Sequence, residues 1–378
     1  MKIIVAPDSF KGSLSSIQAA NAIEKGIMKA ARNCQEPVEV IKVPMADGGE
    51  GTVEAVISAV GGDIISTKVI DPLGREIDSF FGILPDNTAI IEMAAASGLN
   101  LLSEKERNPM KTTTYGTGQL IKKALDYGCK EIIIGIGGSA TNDGGVGMAQ
   151  ALGIRFLDKE GNQIAFGGGE LYKIEEIDTS SLDPRINDTI ITIASDVKNT
   201  LCGPNGASAV YGPQKGATPE MVEILDRNLE HLAAVIKKQL NKDVLNVPGS
   251  GAAGGLGAAL IAFLEAEFCM GIKLVMELVQ LEEKIKNADM VITGEGSTDY
   301  QTLFGKVPLG IAKIAKKHNK PVVCISGSLG KGYENLYQEG IKAFFSIVNR
   351  PMSLEEAMDK GEELLTKVTE NIFRLLWK

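Results

Sequence analysis

Short apolar runs alternate with amphipathic helical patterns along much of this chain. Most of the joints between them are loops that combine glycine with an acid, an amide or a lysine. A short apolar run of this kind suits a strand buried on both faces of a parallel sheet, and parallel strands require a long, usually helical, crossover. Near the start, KIIVA at 2–6 is one such run and VEVIKV at 38–43 is another. Between them Ser15 and Gln18 have capping-box spacing and open a helix to about Ala31. A further helix runs from about Glu50 and stops at Gly61-Gly62. The same rhythm resumes near residue 288. Strands are expected at 289–293, 321–326 and 342–347, and helices at 308–318 and 353–376, the last opened by Ser353 and Glu356.

The middle of the chain differs. From Asp71, DPLGREIDSFFGILPDNTAIIEMA sets Pro-Leu-Gly and Pro-Asp-Asn turns between short β-like runs and reads as hairpins. Residues 117–127 read as helix, 131–136 and 189–194 as buried strands, and 244–247 as a weak strand. Thr218 as N-cap and Pro219 at the first helical position open a long amphipathic helix with Leu225, Leu229, Leu232 and Ile236 on one face. The length of 378 residues suits about two domains. The fold class expected is therefore α/β with two domains. Residues 1–68 and 287–378 would form one, around a five-stranded parallel sheet of flavodoxin order, and 69–286 an inserted mixed α/β domain. In that order the first and third strands flank the topological switch point, so the loops after Ala6 and Thr293 would lie side by side where open α/β sheets bind ligands.

Glycine supplies 43 residues, about 11% against an average of about 7%. It concentrates in DSFKGSLS, MADGGEGT, GGSATNDGG, SDVKN, YGPQKGAT, PGSGAAGGLG and TGEGSTDYQ. Most of these loops follow an expected strand and open an expected helix, whose free N–H groups and partial positive charge suit phosphate or carboxylate. Asp8, Asp47, Asp143, Asp196, Glu295 and Asp299 add groups that could hold Mg²⁺ or take a proton from a hydroxyl. Tight turns and helix caps are the structural uses of the same residues.

Several chemistries are excluded or weakened. There is no GxxxxGK[ST], so the ordinary P-loop is absent. Gly249 to Gly254 matches GxGxxG, but it follows only the weak strand. The two histidines, His231 and His318, read as surface residues, so a base would have to be an aspartate. Cys34, Cys129, Cys202, Cys269 and Cys324 are widely spaced and never CxxC, which points away from disulfides and zinc and toward a reducing cytoplasm. A net charge of −9 with no basic run disfavours nucleic acid. The N-terminal apolar run is too short for a signal peptide, and no stretch approaches the ~18 apolar residues of a membrane span.

In this order the loops resemble the bacterial glycerate kinase family, whose members transfer the γ-phosphoryl group of ATP to D-glycerate. The matching stretches are APDSFKGSLS, PMADGGEGT, EMAAASGL, TTYGTGQLI, GIGGSATNDGG, ASDVKNTLCGPNGAS, YGPQKGAT, GSGAAGGLG and TGEGSTDYQT, from about residue 4 to residue 302. The resemblance implies a flavodoxin-like domain and a second α/β domain somewhat like restriction endonucleases, with the active site in the cleft between them. It implies ATP with Mg²⁺, and 2-phosphoglycerate ahead of 3-phosphoglycerate as product. On that basis Gly137, Gly138, Ser139, Thr141 and Asn142 are expected at the ATP phosphates, with Gly294, Glu295 and Gly296 nearby. Lys11 is assigned to anion binding and Asp196 to orienting and deprotonating the substrate hydroxyl, with Mg²⁺ coordination as its alternative role. Asp47 is the second candidate for either job, Asp143 a further metal ligand, and Asp8, Ser13, Lys198 and Asn199 substrate contacts. D-glycerate and ATP are the expected partners, and a homodimer is left open. Two other readings stand beside this one: an NAD(P)-dependent oxidoreductase of a small hydroxy acid, and a non-catalytic anion-binding protein.

Overall fold

The apolar run at the N-terminus becomes the strand Lys2–Pro7, with Ile3 to Pro7 all buried. The structure, a computed structural model, describes residues 1–32 and 37–377, so Cys34 lies outside the described residues. The first sheet has the spatial order Glu39–Lys42, Lys2–Pro7, Met290–Gly294, Val322–Ser326, Ile341–Ser346. Every neighbouring pair in it is parallel. By sequence that order is 2-1-3-4-5, the doubly wound arrangement expected from the rhythm of the two chain ends.

The helix Ser16–Ala31 covers this sheet through its Ala19, Ala20, Ile23 and Ile27 face, and starts with the Ser15/Gln18 capping box. The chain's last helix, Gly361–Leu376, crosses it closely. Thr366 donates to the Ala22 carbonyl at 3.1 Å, and a side chain at Gly26 would collide with Thr366 and Thr369. The single helix expected over 353–376 is two, Leu354–Asp359 and Gly361–Leu376, because Lys360 between them turns to ψ 12°.

A second sheet runs in the order Glu267–Cys269, Ile190–Ala194, Glu131–Gly135, Thr88–Glu92, Glu76–Ile83, Asp63–Ile70. Its first four strands are mutually parallel and its last three form antiparallel pairs, the hairpins signalled by the two proline turns. Val146–Ala151, Pro219–Leu240 and Ala252–Leu264 contribute Met148, Leu229, Leu232, Leu256 and Leu260 to one large core around Phe156 and Ile193. No strand forms at 244–247, where the chain is bent and turned.

The chain divides into two compact units, one of 1–47, 54–61 and 272–378, the other of 48–53 and 62–271. These limits differ from 68/69 and 286/287 for local reasons. Asp63–Ile70 pairs with Glu76–Ile83 along its whole length, which commits it to the second sheet. Gly310 sits against Ile272 and Met276, which commits that later segment to the first unit. Among the described residues no helix is long and apolar enough to cross a membrane.

Candidate active site

In the first unit the carboxyl edge of the sheet gathers Asp8 and the Gly294–Gly296 loop at the switch point. The Asp8 N–H donates to the Gly294 carbonyl at 2.8 Å, and Gly296 lies against the backbone of Phe10 and Lys11. Gly294 itself is enclosed, and any side chain there would collide with the Ile325 carbonyl of the neighbouring strand. Asp8 is half-buried, and its Oδ1 accepts the Ser9 N–H at 2.7 Å. Burial, with the Asp47 and Glu295 charges adding to it, pushes the Asp8 carboxyl up to about 7 against the opposing Ser9 N–H and Lys306. Glu295 is buried but well partnered: Thr302 and Thr298 donate to Oε1 at 2.7 and 3.1 Å, and Lys306 reaches Oε2 at 3.3 Å. Lys11 and Asp47 are exposed. Ser13 is not open to a ligand in the expected way, since its hydroxyl donates to the Met358 carbonyl at 2.6 Å.

In the second unit the carboxyl edge brings three loops together. Gly48 packs on Ala194 at the end of one strand, and its carbonyl fills the space a side chain at Gly135 would need at the end of the next. Gly49 lies against Gly137. The buried Glu92 fixes this crossing, because its carboxylate accepts the N–H groups of Val53 at 2.7 Å and Gly51 at 3.2 Å. Beyond the strands, Gly137 and Gly138 are exposed, as are Asp196 and Lys198. The Gly138 carbonyl accepts from Leu99, and the Ala140 N–H donates to Ser97, so the loop is pinned by the EMAAASGL segment.

Beyond Gly138 the loop turns inward. Ser139 is buried, and Thr141 and Asn142 are fully enclosed. Asn142 donates to the Ser208 hydroxyl at 3.0 Å. Asp143 is 1% exposed, and its carboxylate accepts from Thr114 N–H, Thr114 Oγ1, Gly145 N–H and Gly147 N–H at 2.8–3.2 Å. Burial nonetheless pushes its carboxyl up. With both oxygens engaged by these donors, Asp143 anchors the loop. Asn199 is also engaged: it donates to the Asn205 carbonyl at 2.7 Å and accepts the Tyr211 hydroxyl at 2.8 Å.

Sequence reasoning gave no role to two of the groups that hold these loops. Glu92, which holds Gly51 and Val53, is one. Lys215, beneath the loop from Gly137, is the other: only 1% exposed, it donates to the Thr141 carbonyl at 2.6 Å. Burial lowers its ammonium to about 7, with the Asp143 charge opposing. Both residues stand inside quoted motifs, but only the tertiary contacts give them a task. The GxGxxG match has a task of this kind too. Ala253, Gly254 and Gly255 are consecutive left-handed residues, and Gly254 lies so close to Thr141 and Asn142 that a side chain there would collide with them. The N–H groups of Gly249 and Gly251 both donate to the Asn199 carbonyl. This backbone is packed against its own protein and does not present a dinucleotide loop.

Among the described residues no group of three or more His, Cys, Asp or Glu side chains is disposed to hold a metal ion. A magnesium–nucleotide complex asks for less, because phosphate oxygens and waters fill most of its positions and one or two carboxylates suffice. The exposed Asp196 fits that requirement. The first unit offers the exposed Lys11 and Asp47 with the half-buried Asp8, and the second, taken by itself, the exposed Gly137, Gly138, Asp196 and Lys198. Such groups can bind anions and accept a proton. A surface concavity of about 870 Å³ beside Tyr115, Arg155 and Phe166 is lined by none of these residues.

The sequence model described as the glycerate kinase family matches residues 3–377. A glycerate kinase from Halalkalibacterium halodurans is 51% identical over 371 residues, covering 98% of this chain and 97% of the relative. A protein named glycerate 2-kinase from Escherichia coli is also 51% identical, with 98% and 97% of the two chains covered. A crystal structure assigned as glycerate kinase 2 from Salmonella typhimurium LT2 superimposes with a TM-score of 0.88 at 49% identity, covering 100% of this chain and 98% of that one.

Proposed function

Since the chain belongs to the glycerate kinase family, we propose that it transfers the γ-phosphoryl group of ATP to a hydroxyl of D-glycerate, giving ADP and 2-phosphoglycerate. The observation that carries this reading is identity of about half the residues over essentially the whole length of glycerate kinases. The name of the Escherichia coli relative favours the 2-hydroxyl over the 3-hydroxyl as acceptor. The two compact units are read as domains, the first flavodoxin-like and the second similar to restriction endonucleases. ATP drawn as its Mg²⁺ complex from a cytoplasmic pool suits such an enzyme.

Phosphoryl transfer needs little covalent help from protein, so positioning and charge neutralisation dominate. The exposed Gly137–Gly138 turn of the second unit suits the nucleotide phosphates, and the tightly packed Gly294–Gly296 turn at the first unit's sheet edge is the other candidate for them. Lys11 is proposed to bind the glycerate carboxylate and Lys198 to support substrate charge. Asp196 is proposed to orient the attacking hydroxyl and take its proton, or to hold the metal, whose role is to neutralise charge on the phosphates; Asp47 is the second candidate for either task. Ser139, Thr141, Asn142, Asp143, Ser13 and Asn199 are proposed to act behind these groups as supports, because their side chains are buried or engaged.

The test is ³¹P NMR of the protein with D-glycerate, ATP and Mg²⁺. Phosphorus on the secondary carbon couples to one proton and on the primary carbon to two, so the multiplet identifies the product. Absence of any phosphoglycerate overturns the reading. In the same assay Asp196→Asn is expected to stay folded and bind ATP while kcat falls by about two orders of magnitude or more. A near-normal kcat would pass the role to Asp47.

A further inference from the structure

Two aromatic rings stand in water next to the first unit's sheet edge. Phe304 is 78% exposed, the most exposed aromatic side chain among the described residues, and Tyr300 is 52% exposed. Their ring centroids are 6.4 Å apart at nearly a right angle. Single exposed apolar residues are ordinary, but a held pair is less so. The short 3₁₀ helix Tyr300–Phe304 that carries them is tethered at three points. Thr302 donates to buried Glu295 at 2.7 Å, Asp299 caps Gln301 at 2.8 Å, and the Tyr300 N–H donates to the Lys331 carbonyl at 3.1 Å. Glu295 directly follows the strand Met290–Gly294, so the tether fixes the rings relative to the switch point.

Charges of both signs stand near the helix. Lys331, whose carbonyl accepts the Tyr300 N–H, is exposed and, among the described residues, has no ion pair, while Lys306 is paired with Glu295 and Asp299 caps the helix. An exposed aromatic face held beside the sheet edge complements a flat base joined to a polyphosphate, and base–aromatic stacking is sequence-tolerant and strong. We propose that Phe304 and Tyr300 form the platform for the purine base of the nucleotide, with Lys331 at its phosphate side. This rests on the kinase reading, and it adds the part of the ligand that the glycine loops cannot recognise.

The test measures binding to the full-length protein by calorimetric titration, with Mg²⁺–ATP and with inorganic tripolyphosphate, which keeps the charge and lacks the base. Phe304→Ala is expected to weaken ATP about tenfold and Tyr300→Ala by several-fold, with tripolyphosphate moving less than about twofold in both. Phe304→Trp should keep ATP affinity within about threefold, since it keeps a stacking face. Unchanged ATP affinity in Phe304→Ala overturns the proposal. So does an equal loss for tripolyphosphate, which would mean a general disturbance of the site. A change in sedimentation mass with ATP affinity intact would also overturn it, assigning the rings to contact between two copies of the chain. Wild-type turnover of D-glycerate is read separately. A protein that binds ATP through Phe304 yet makes no phosphoglycerate would sink the kinase reading alone.

Discussion

Asp8 and Asp143 show how little an aspartate's neighbours in sequence say about its state. Both lie in loops of small and polar residues, and burial raises the proton affinity of both. Asp143 is sealed by four donors, whereas Asp8 is half-buried with a single donor to its carboxylate and two like charges nearby. A folded value of about 7 against an unfolded value of 3.8 means the folded state binds the extra proton between those limits. Stability from this group is therefore full below about pH 4, falls as pH rises to about 7, and stays low above it. Asp8→Asn removes the charge and keeps the oxygen that accepts the Ser9 N–H. It is expected to raise stability at pH 8 by about 1–2 kcal/mol, discounted for partial exposure, and to change it little at pH 4. Thermal unfolding at the two pH values checks this, and equal shifts at both would remove electrostatic strain as the cause. Since the group stands at the proposed site, catalytic activity should fall in the same variant, the trade expected where function keeps an unfavourable charge in place.

At the scale of elements, the loop from Gly137 to Gly145 is the most instructive. Its first two residues are open and the rest is enclosed, supported by Lys215 beneath Thr141 and by the left-handed run Ala253 to Gly255. Lys215 has a folded value of about 7 against 10.5 unfolded, so the unfolded state binds more protons between those limits. Stability should then rise with pH across that window and be flat, at its lower level, below it. Wild-type unfolding free energy is expected to gain on the order of 2 kcal/mol between pH 7 and 9 from this group, and Lys215→Met should lose that gain. Urea titrations of both proteins at the two pH values isolate the difference, because other titrating groups are common to both. Parallel pH profiles would mean that Lys215 keeps its proton when buried. The strands around this loop were legible from their apolar runs. Its support was not, because Lys215 lies 74 residues from Thr141 in the chain.

Among the described residues, each of the two units has a hydrophobic cluster of its own. Phe156 packs edge-on to Phe263 in one, at 5.6 Å, and Phe373 packs against Trp377 in the other, at 4.7 Å. Thermal unfolding is therefore expected to depart from a single two-state transition, with a calorimetric enthalpy above the van't Hoff value. Phe156→Ala and Phe373→Ala should each cost about 3–5 kcal/mol and lower different parts of the trace. One sharp transition that both variants shift equally would contradict independent unfolding of the two units. The division itself was only partly readable. The return of the strand–helix rhythm near residue 288 is a local signal, but the limits at 47/48, 53/54, 61/62 and 271/272 are not. Gly48 to Val53 joins the second unit because Glu92, Gly135 and Ala194 hold it there.

By itself the sequence determined most of the strands and helices, the parallel order of the first sheet, the hairpins after Asp71 and the family. These follow from periodicity, capping and turn residues, which act over a few neighbours, and from motifs read as whole strings. The tertiary structure decided which aspartates are open, that Asn199 and Ser13 spend their side chains on internal bonds, that the GxGxxG match is packing, and that a lysine is buried under a loop. Exposure and proton affinity depend on every group within a few ångströms. Most of those neighbours come from distant parts of the chain, so no local pattern records them.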